Sequence, residues 1–201
     1  IHLYDQPKID GVFGLWYGKG PGLDRALDAI RHANMGGVAK YGGMVLAVGD
    51  DATGKSSTLA YQSEQTLIAA GVPFFYPRSI HDLIPMGLQA FALSRLAGCC
   101  VGMKIVVDTA DASSIIDLDR IRPKITANNE SGPVHIGRHD PALVREDRLF
   151  NLRLPAVCRF QKAQNINSIL GSQPAIGKHG IMTIGKTTYE VNDALASLGI
   201  D

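Results

Sequence analysis

The sequence predicts an α/β fold: a parallel sheet with helices on both faces. Three observations predict it. Short apolar, β-prone runs recur along the first half of the chain, and single segments of helical period separate them. Strands spaced by single helices need crossover connections, which makes the sheet parallel and covers both its faces. Stretches rich in glycine and polar residues follow the first two strands, at the end of the sheet where such folds place ligands.

Taken in order, Val12 to Tyr17 reads as a strand. Leu23 to Met35 reads as a helix, with Leu23, Ala26, Leu27 and Ile30 on one face and Gly36 and Gly37 as its stop. Met44 to Val48 is the second strand. Ser56 or Ser57 can cap a helix running to Ala70 and ending at Gly71, after which Val72 to Tyr76 is a third strand. Ser79 caps a helix ending near Gly98, in which Pro85 lies deep enough to bend it, and Val101 to Val107 is the fourth strand. Beyond Asp108 the alternation lapses. "TANNESGPVHIGRHDP" has loop composition, and Asp140 and Pro141 open a basic helix with Arg145, Arg148, Arg153 and Arg159. Ile181 to Ile184 reads as a last strand, and Thr187 with Glu190 as a capping box before a helix stopping at Gly199.

With 201 residues, 45% hydrophobic and 19% charged, the chain can bury a substantial core. Its 20 basic and 19 acidic residues sum to +1, too little field to gather nucleic acid or an anionic membrane. The most apolar stretch, Gly87 to Val107, is interrupted by Arg95 and Lys104, which argues for core elements and against a membrane span. With no secretory signal at the N-terminus, a cytoplasmic location is expected. Cys99, Cys100 and Cys158 lack the spacing of a zinc or iron–sulfur site and read as small apolar residues, so no metal site is expected. Ile1 in place of Met points to a trimmed chain or a piece of a longer polypeptide.

Two loops carry the chemistry. "GDDATGKSS", Gly49 to Ser57, satisfies G-x-x-x-x-G-K-[ST] after a strand, and Asp108 at the end of "KIVVD" imitates the acidic strand end that holds Mg²⁺ in nucleotide hydrolases. Against an ATPase, Asp50 and Asp51 occupy positions whose amides must curl around phosphate; two carboxylates there repel a polyanion at ~4 kcal/mol per close pair. In the other loop, "GKGPG", Gly18, Gly20 and Gly22 around Lys19 and Pro21 let backbone approach a ligand or make a tight strand-to-helix turn. Lys55 suits a carboxylate, with Asp50 or Asp51 orienting it, and Ser56 is a ligand or a helix cap. Gln62, Ser63 and Glu64 read equally as pocket or solvated helix, and His32 as a group near a helix C-terminus.

The segments "DGVFGLWYGKGPGLDRALDAIRHANMGG" and "GGMVLAVGDDATGKSSTLAYQSE" resemble the indolepyruvate ferredoxin oxidoreductase family, thiamine diphosphate enzymes that oxidatively decarboxylate 2-oxo acids. The similarity continues through "GLQAFALSRLAGCCVGMKIVVDTADASS" and more weakly through "HGIMTIGKTTYEVNDALASLGID". The resemblance implies that residues 1–117 are a pyrimidine-binding-type domain lacking its N-terminal part. Residues 118–178 then connect it to the start of a following α/β domain, 179–201. It implies a cofactor or substrate pocket at Gly18, Lys19, Gly20, Pro21, Gly22, Asp50, Asp51, Lys55 and Ser56. It places the catalytic glutamate, the Mg²⁺–diphosphate site and the iron–sulfur clusters outside this chain, which alone neither holds the cofactor tightly nor turns over. Further implications are a homodimer, with CoA and ferredoxin as partners of the complete enzyme. A noncatalytic scaffold piece of such an enzyme remains the alternative.

Overall fold

The computed structural model describes residues 11–117, 123, 125, 133–137, 139–170 and 180–200. Among the described residues four strands form one parallel sheet: β1 Phe13–Lys19, β2 Gly43–Asp50, β3 Phe74–Phe75 and β4 Cys100–Val106, in the order β1-β2-β4-β3. Seven helices accompany them among the described residues: α1 Gly20–Gly36, α2 Glu64–Ala69, α3 Ile80–Ala97, α4 Val107–Ala110, α5 Ala142–Arg148, α6 Leu154–Ala163 and α7 Thr187–Ser197. A π-helical turn, Leu149–Arg153, joins α5 to α6.

Right-handed crossovers dictate which helix covers which face. The chain moves across the sheet from β1 to β2 and on to β3, then reverses to insert β4 between β2 and β3. Helices α1 and α2 therefore share one face, and α3 takes the other. On the first face Leu23 and Ile30 of α1 and Leu67 of α2 pack on Leu46, Val48 and Cys100. On the second, Ala90, Leu93 and Ala97 of α3 meet Val45, Val101 and Met103, and Ala156 and Phe160 of α6 complete the cluster. Full burial of an aliphatic side chain such as Leu23 contributes about 1.5–3 kcal/mol.

Local chemistry sets the helix limits. Ser79 caps α3 by accepting from the His81 amide at 3.3 Å, and Gly98 ends it in the left-handed region at φ 73°. The helix runs on through Pro85. Inside it, the Ser94 hydroxyl donates to Cys99 O at 2.6 Å, just before β4, and accepts from the Met44 amide at 2.8 Å, fixing α3 to β2 and to the approach to β4. Arg153, fully buried, finishes α1: it donates to the carbonyls of Asn34, Met35 and Gly36 at 3.0–3.2 Å and to Val134 O at 2.6 Å. Burial lowers its pKa to about 10, and carbonyls at a helix C-terminus are the negative pole that holds its charge.

Four expectations change. The helix predicted from Ser56 or Ser57 starts only at Glu64, because the side chains of Asp50, at the end of β2, and Asp51, just after it, hold the intervening backbone in a loop. The third strand shrinks to Phe74–Phe75, flanked by Pro73 and Pro77, residues that cannot donate to a ladder. Residues 181–184 form no strand, since no neighbour is in register with them among the described residues. The capping box does not form either: Thr187 Oγ1 donates to Ile184 O at 2.9 Å, and Glu190 pairs with Lys186. Much of the "TANNESGPVHIGRHDP" loop, and His179, lie outside the described residues.

Candidate functional site at the carboxyl edge of the sheet

Parallel register puts the ends of β1 and β2 side by side, with Lys19 opposite Gly49. Lys19 Nζ crosses between them and donates to Ser56 O at 3.1 Å and Ser56 Oγ at 3.3 Å. The two glycine-containing stretches predicted to share an edge are thus bonded to each other. They are built differently from the prediction. Gly18 belongs to β1 and lies beneath the Trp16 ring, while Gly20, Pro21 and Gly22 form the first turn of α1. "GKGPG" is a direct strand-to-helix junction, not a loop. Gly20 is required there because a Cβ would collide with the Tyr61 ring; at Gly22 a Cβ meets open space.

The Gly49–Ser57 stretch folds around its own carboxylates. Asp51, only 2% exposed, accepts from the amides of Lys55 at 2.9 Å and Ser56 at 2.7 Å, and from Ser56 Oγ at 3.2 Å. Those amide bonds, the Ser56 bond foremost, hold the Asp51 carboxyl below the usual carboxylate range against the opposing effect of burial. Gly54, at φ 67°, supplies the turn that aims the two amides back at Asp51. A phosphate loop would need these donors free and a helix opening at the Lys-Ser step. Here a side-chain carboxylate takes the donors, and the helix comes later.

Asp50 points to the α2 side and accepts from the Ser63 amide at 2.9 Å and from Ser63 Oγ. Its charge is met by Lys104 Nζ at 3.2 Å, which also pairs with Glu64 and sits 4.7 Å from the Tyr76 ring centroid. Lys104 is 4% exposed. Burial alone would depress its pKa, but the Glu64 hydrogen bond and the charges of Asp50 and Glu64 raise it above the ordinary lysine value. The cation that balances Asp50 is therefore Lys104, and the Lys55 ammonium lies on Asp108 instead, a carboxylate that Lys186 also approaches at 3.5 Å. Sequence reasoning passed over Lys104 as a cation. A single lysine inside the apolar strand "CVGMKIVV" is the signal, since lysine is almost never fully buried unless paired.

Between the two joined stretches lies a cleft of ≈ 430 Å³. Lys19 and Pro21 form one wall, Ser56 to Leu59 the other, and Tyr61 adjoins them. Tyr61 hydrogen-bonds Asp24, and burial with that bond pushes its hydroxyl up to about 12, so it stays a neutral phenol. No side chain caps the first turn of α1, whose N–H groups and dipole add to the Lys19 charge in favouring an anionic or acceptor group. The apolar surfaces of Pro21, Leu59 and Tyr61 suit a flat ring. Among the described residues no three His, Cys, Asp or Glu side chains cluster as metal ligands. Comparison with known proteins adds no name to this geometry: no family model, curated protein or solved structure matches the chain. What is defined is a class, an α/β domain with a parallel sheet and a largely apolar cleft, edged by Lys19 and hydroxyl groups, at its carboxyl edge.

Proposed function

We propose that this chain is part of a thiamine diphosphate-dependent oxidoreductase that oxidatively decarboxylates 2-oxo acids such as indolepyruvate to acyl-CoA, passing electrons to ferredoxin. The observation that carries this reading is the Lys19–Ser56 bond, which joins the two stretches bearing the family resemblance into one cleft. The cleft fits the ring portion of the cofactor: Pro21, Leu59 and Tyr61 offer apolar contact, and Ser57 and Thr58 offer hydroxyls. The described residues hold no carboxylate cluster of the kind a metal-bound diphosphate needs, and on this reading another domain or subunit of the complete enzyme would supply that half and the iron–sulfur clusters. When bound, thiamine diphosphate would supply the carbanion and electron-sink chemistry that decarboxylation of a 2-oxo acid needs. On this reading Lys19, Pro21 and Tyr61 of this chain would orient the ring portion of the cofactor.

A second reading, a scaffold piece without chemistry, draws on one observation: Asp50, Asp51 and Lys55 are each engaged within the chain. One experiment separates the two. The complete enzyme is assayed for dye reduction with indolepyruvate, CoA and thiamine diphosphate–Mg²⁺, as wild type and as Ser57→Trp, which fills the cleft. Substrate-dependent turnover that falls at least tenfold in Ser57→Trp supports a cofactor-facing cleft. Turnover unchanged by the substitution leaves the scaffold reading, and no turnover with any 2-oxo acid overturns the proposal.

A further inference from the structure

The eleven residues 51–61, between β2 and α2, close on themselves. At the neck, Asp51 O accepts from the Tyr61 amide and from the Gly54 amide, each at 3.1 Å. Inside, the Asp51 carboxylate gathers the Lys55 and Ser56 amides, so one buried side chain organises a loop whose tip lies in water: Thr58, Leu59 and Ala60 are exposed, Leu59 at 75%. Compact loops with joined ends hold their shape through their own contacts. The fastening of this one to its surroundings is weaker. Among the described residues its body, 52–60, is hydrogen-bonded to other elements by two lysine contacts, one on each side: Lys19 of β1 donates to Ser56, and Lys55 reaches Asp108 in α4. Both contacts are exposed to solvent, where such bonds contribute little. The neck is held more firmly. The Tyr61 phenol bonds Asp24, its ring lies against Gly20, and Asp50, next in sequence to Asp51, is fixed by Ser63 and Lys104.

We propose that residues 52–60 form a flap that swings as one body about an axis through Asp51 and Tyr61, opening and closing the cleft beside Lys19. A rotation about that axis keeps the bonds to Asp51 and breaks the two lysine latches. Ser56 to Leu59 make one wall of the cleft and Lys19 belongs to the other, so releasing Lys19 from Ser56 parts the walls. The residue that fastens the flap is therefore also one that an occupant of the cleft touches. Asp51 has the opposite part: it is the hub that keeps the flap a single body whether the latches are made or broken. The device holds for any occupant of the cleft and does not depend on the cofactor assigned to it.

Relaxation-dispersion NMR of the 201-residue chain tests the movement, since lids of this kind open on the microsecond-to-millisecond scale. The amides of 52–60 should exchange at one shared rate that those of β2 do not show. Lys19→Met and Lys55→Met should each raise the open population by roughly 2- to 5-fold, the range expected for an exposed contact. Together they should raise it by about the product, because both latches break in one movement. Hydrogen exchange separates a swinging flap from a melting loop: the Lys55 and Ser56 amides should stay protected in both lysine variants and lose protection in Asp51→Asn, where the shared rate should split into separate ones. No dispersion in the double lysine variant, separate rates within 52–60 of the wild type, populations indifferent to the lysines, or amide protection lost along with the latches would each overturn the proposal.

Discussion

Replacing Lys104 by methionine should destabilise the protein by about 3–4 kcal/mol, and the structure says why the figure is large. Removing one partner of a buried ion pair typically costs about 3–5 kcal/mol, because the remaining charge stays out of water without compensation. Asp50 is that charge here: its side chain is 0% exposed, and among the described residues the cation paired with it is Lys104. Glu64, at 25%, can rehydrate and adds less, while the two Ser63 bonds to Asp50 survive the substitution. Urea unfolding followed by Trp16 fluorescence measures the change. Adding Asp50→Asn and Glu64→Gln to Lys104→Met should recover at least half of the loss, since apolar or neutral replacement of a whole buried pair is close to neutral. The pH dependence has a definite sign. The folded pKa of Lys104 is raised above its unfolded value near 10.5, so its contribution is complete below that pH and is lost as pH climbs through the folded value. On the alkaline side the gap between wild type and Lys104→Met should therefore narrow above about pH 10.5. A single-variant loss under about 1 kcal/mol, or a triple variant no better than the single, would refute the reasoning.

Three other substitutions probe the same framework. Arg153→Met leaves four carbonyls at the end of α1 and at Val134 without their donor, and thermal unfolding should register a loss of at least about 3 kcal/mol. Asp51 and Asp108 both have carboxyl groups held below the usual range, so their contributions are present above pH 3.8 and vanish as pH falls through the folded values; acid titration of Asp51→Asn should show a flatter stability loss below pH 4 than wild type. Lys55→Ala breaks an ion pair whose partners are 55% and 32% exposed, so stability should move by less than about 1 kcal/mol. If the Lys55 ammonium instead holds substrate in the complete enzyme, kcat/KM should drop by roughly 10- to 150-fold with the fold intact, and an unchanged value removes it from the site.

The parts of the fold governed by local pattern were legible. Apolar runs marked β1, β2 and β4; the 3.6-residue period with terminal glycines marked α1; and Ser79 and Gly98 bracketed α3. The failures share a cause, which is competition from partners distant in sequence or absent. Ser56 is a good helix cap in isolation, but Asp51 captured its amide first, and the helix waited for Glu64. Ile181 to Ile184 is β-prone, yet a strand exists only where an edge accepts it. Lys19 and Ser56 each stand in a glycine-containing stretch that the sequence marks, but the Asp50–Lys104–Glu64 network spans residues 50 to 104 and has no local signature beyond one misplaced lysine.

The position of Phe160 and Arg153 has a consequence for synthesis on the ribosome. The four strands of the described residues end in sequence at Val106, but the face packed by α6 and the carbonyls closed by Arg153 wait for another fifty-odd residues of chain. At bacterial or eukaryotic elongation rates that interval is roughly 3 to 10 s, during which Ala97, Cys99 and Val101 lie open to other nascent chains. A truncation ending near 117 would make that interval permanent. The shortest stretch expected to fold and stay soluble by itself therefore reaches through α6 to Ala163, and chaperone dependence should fall sharply once that helix has left the exit tunnel.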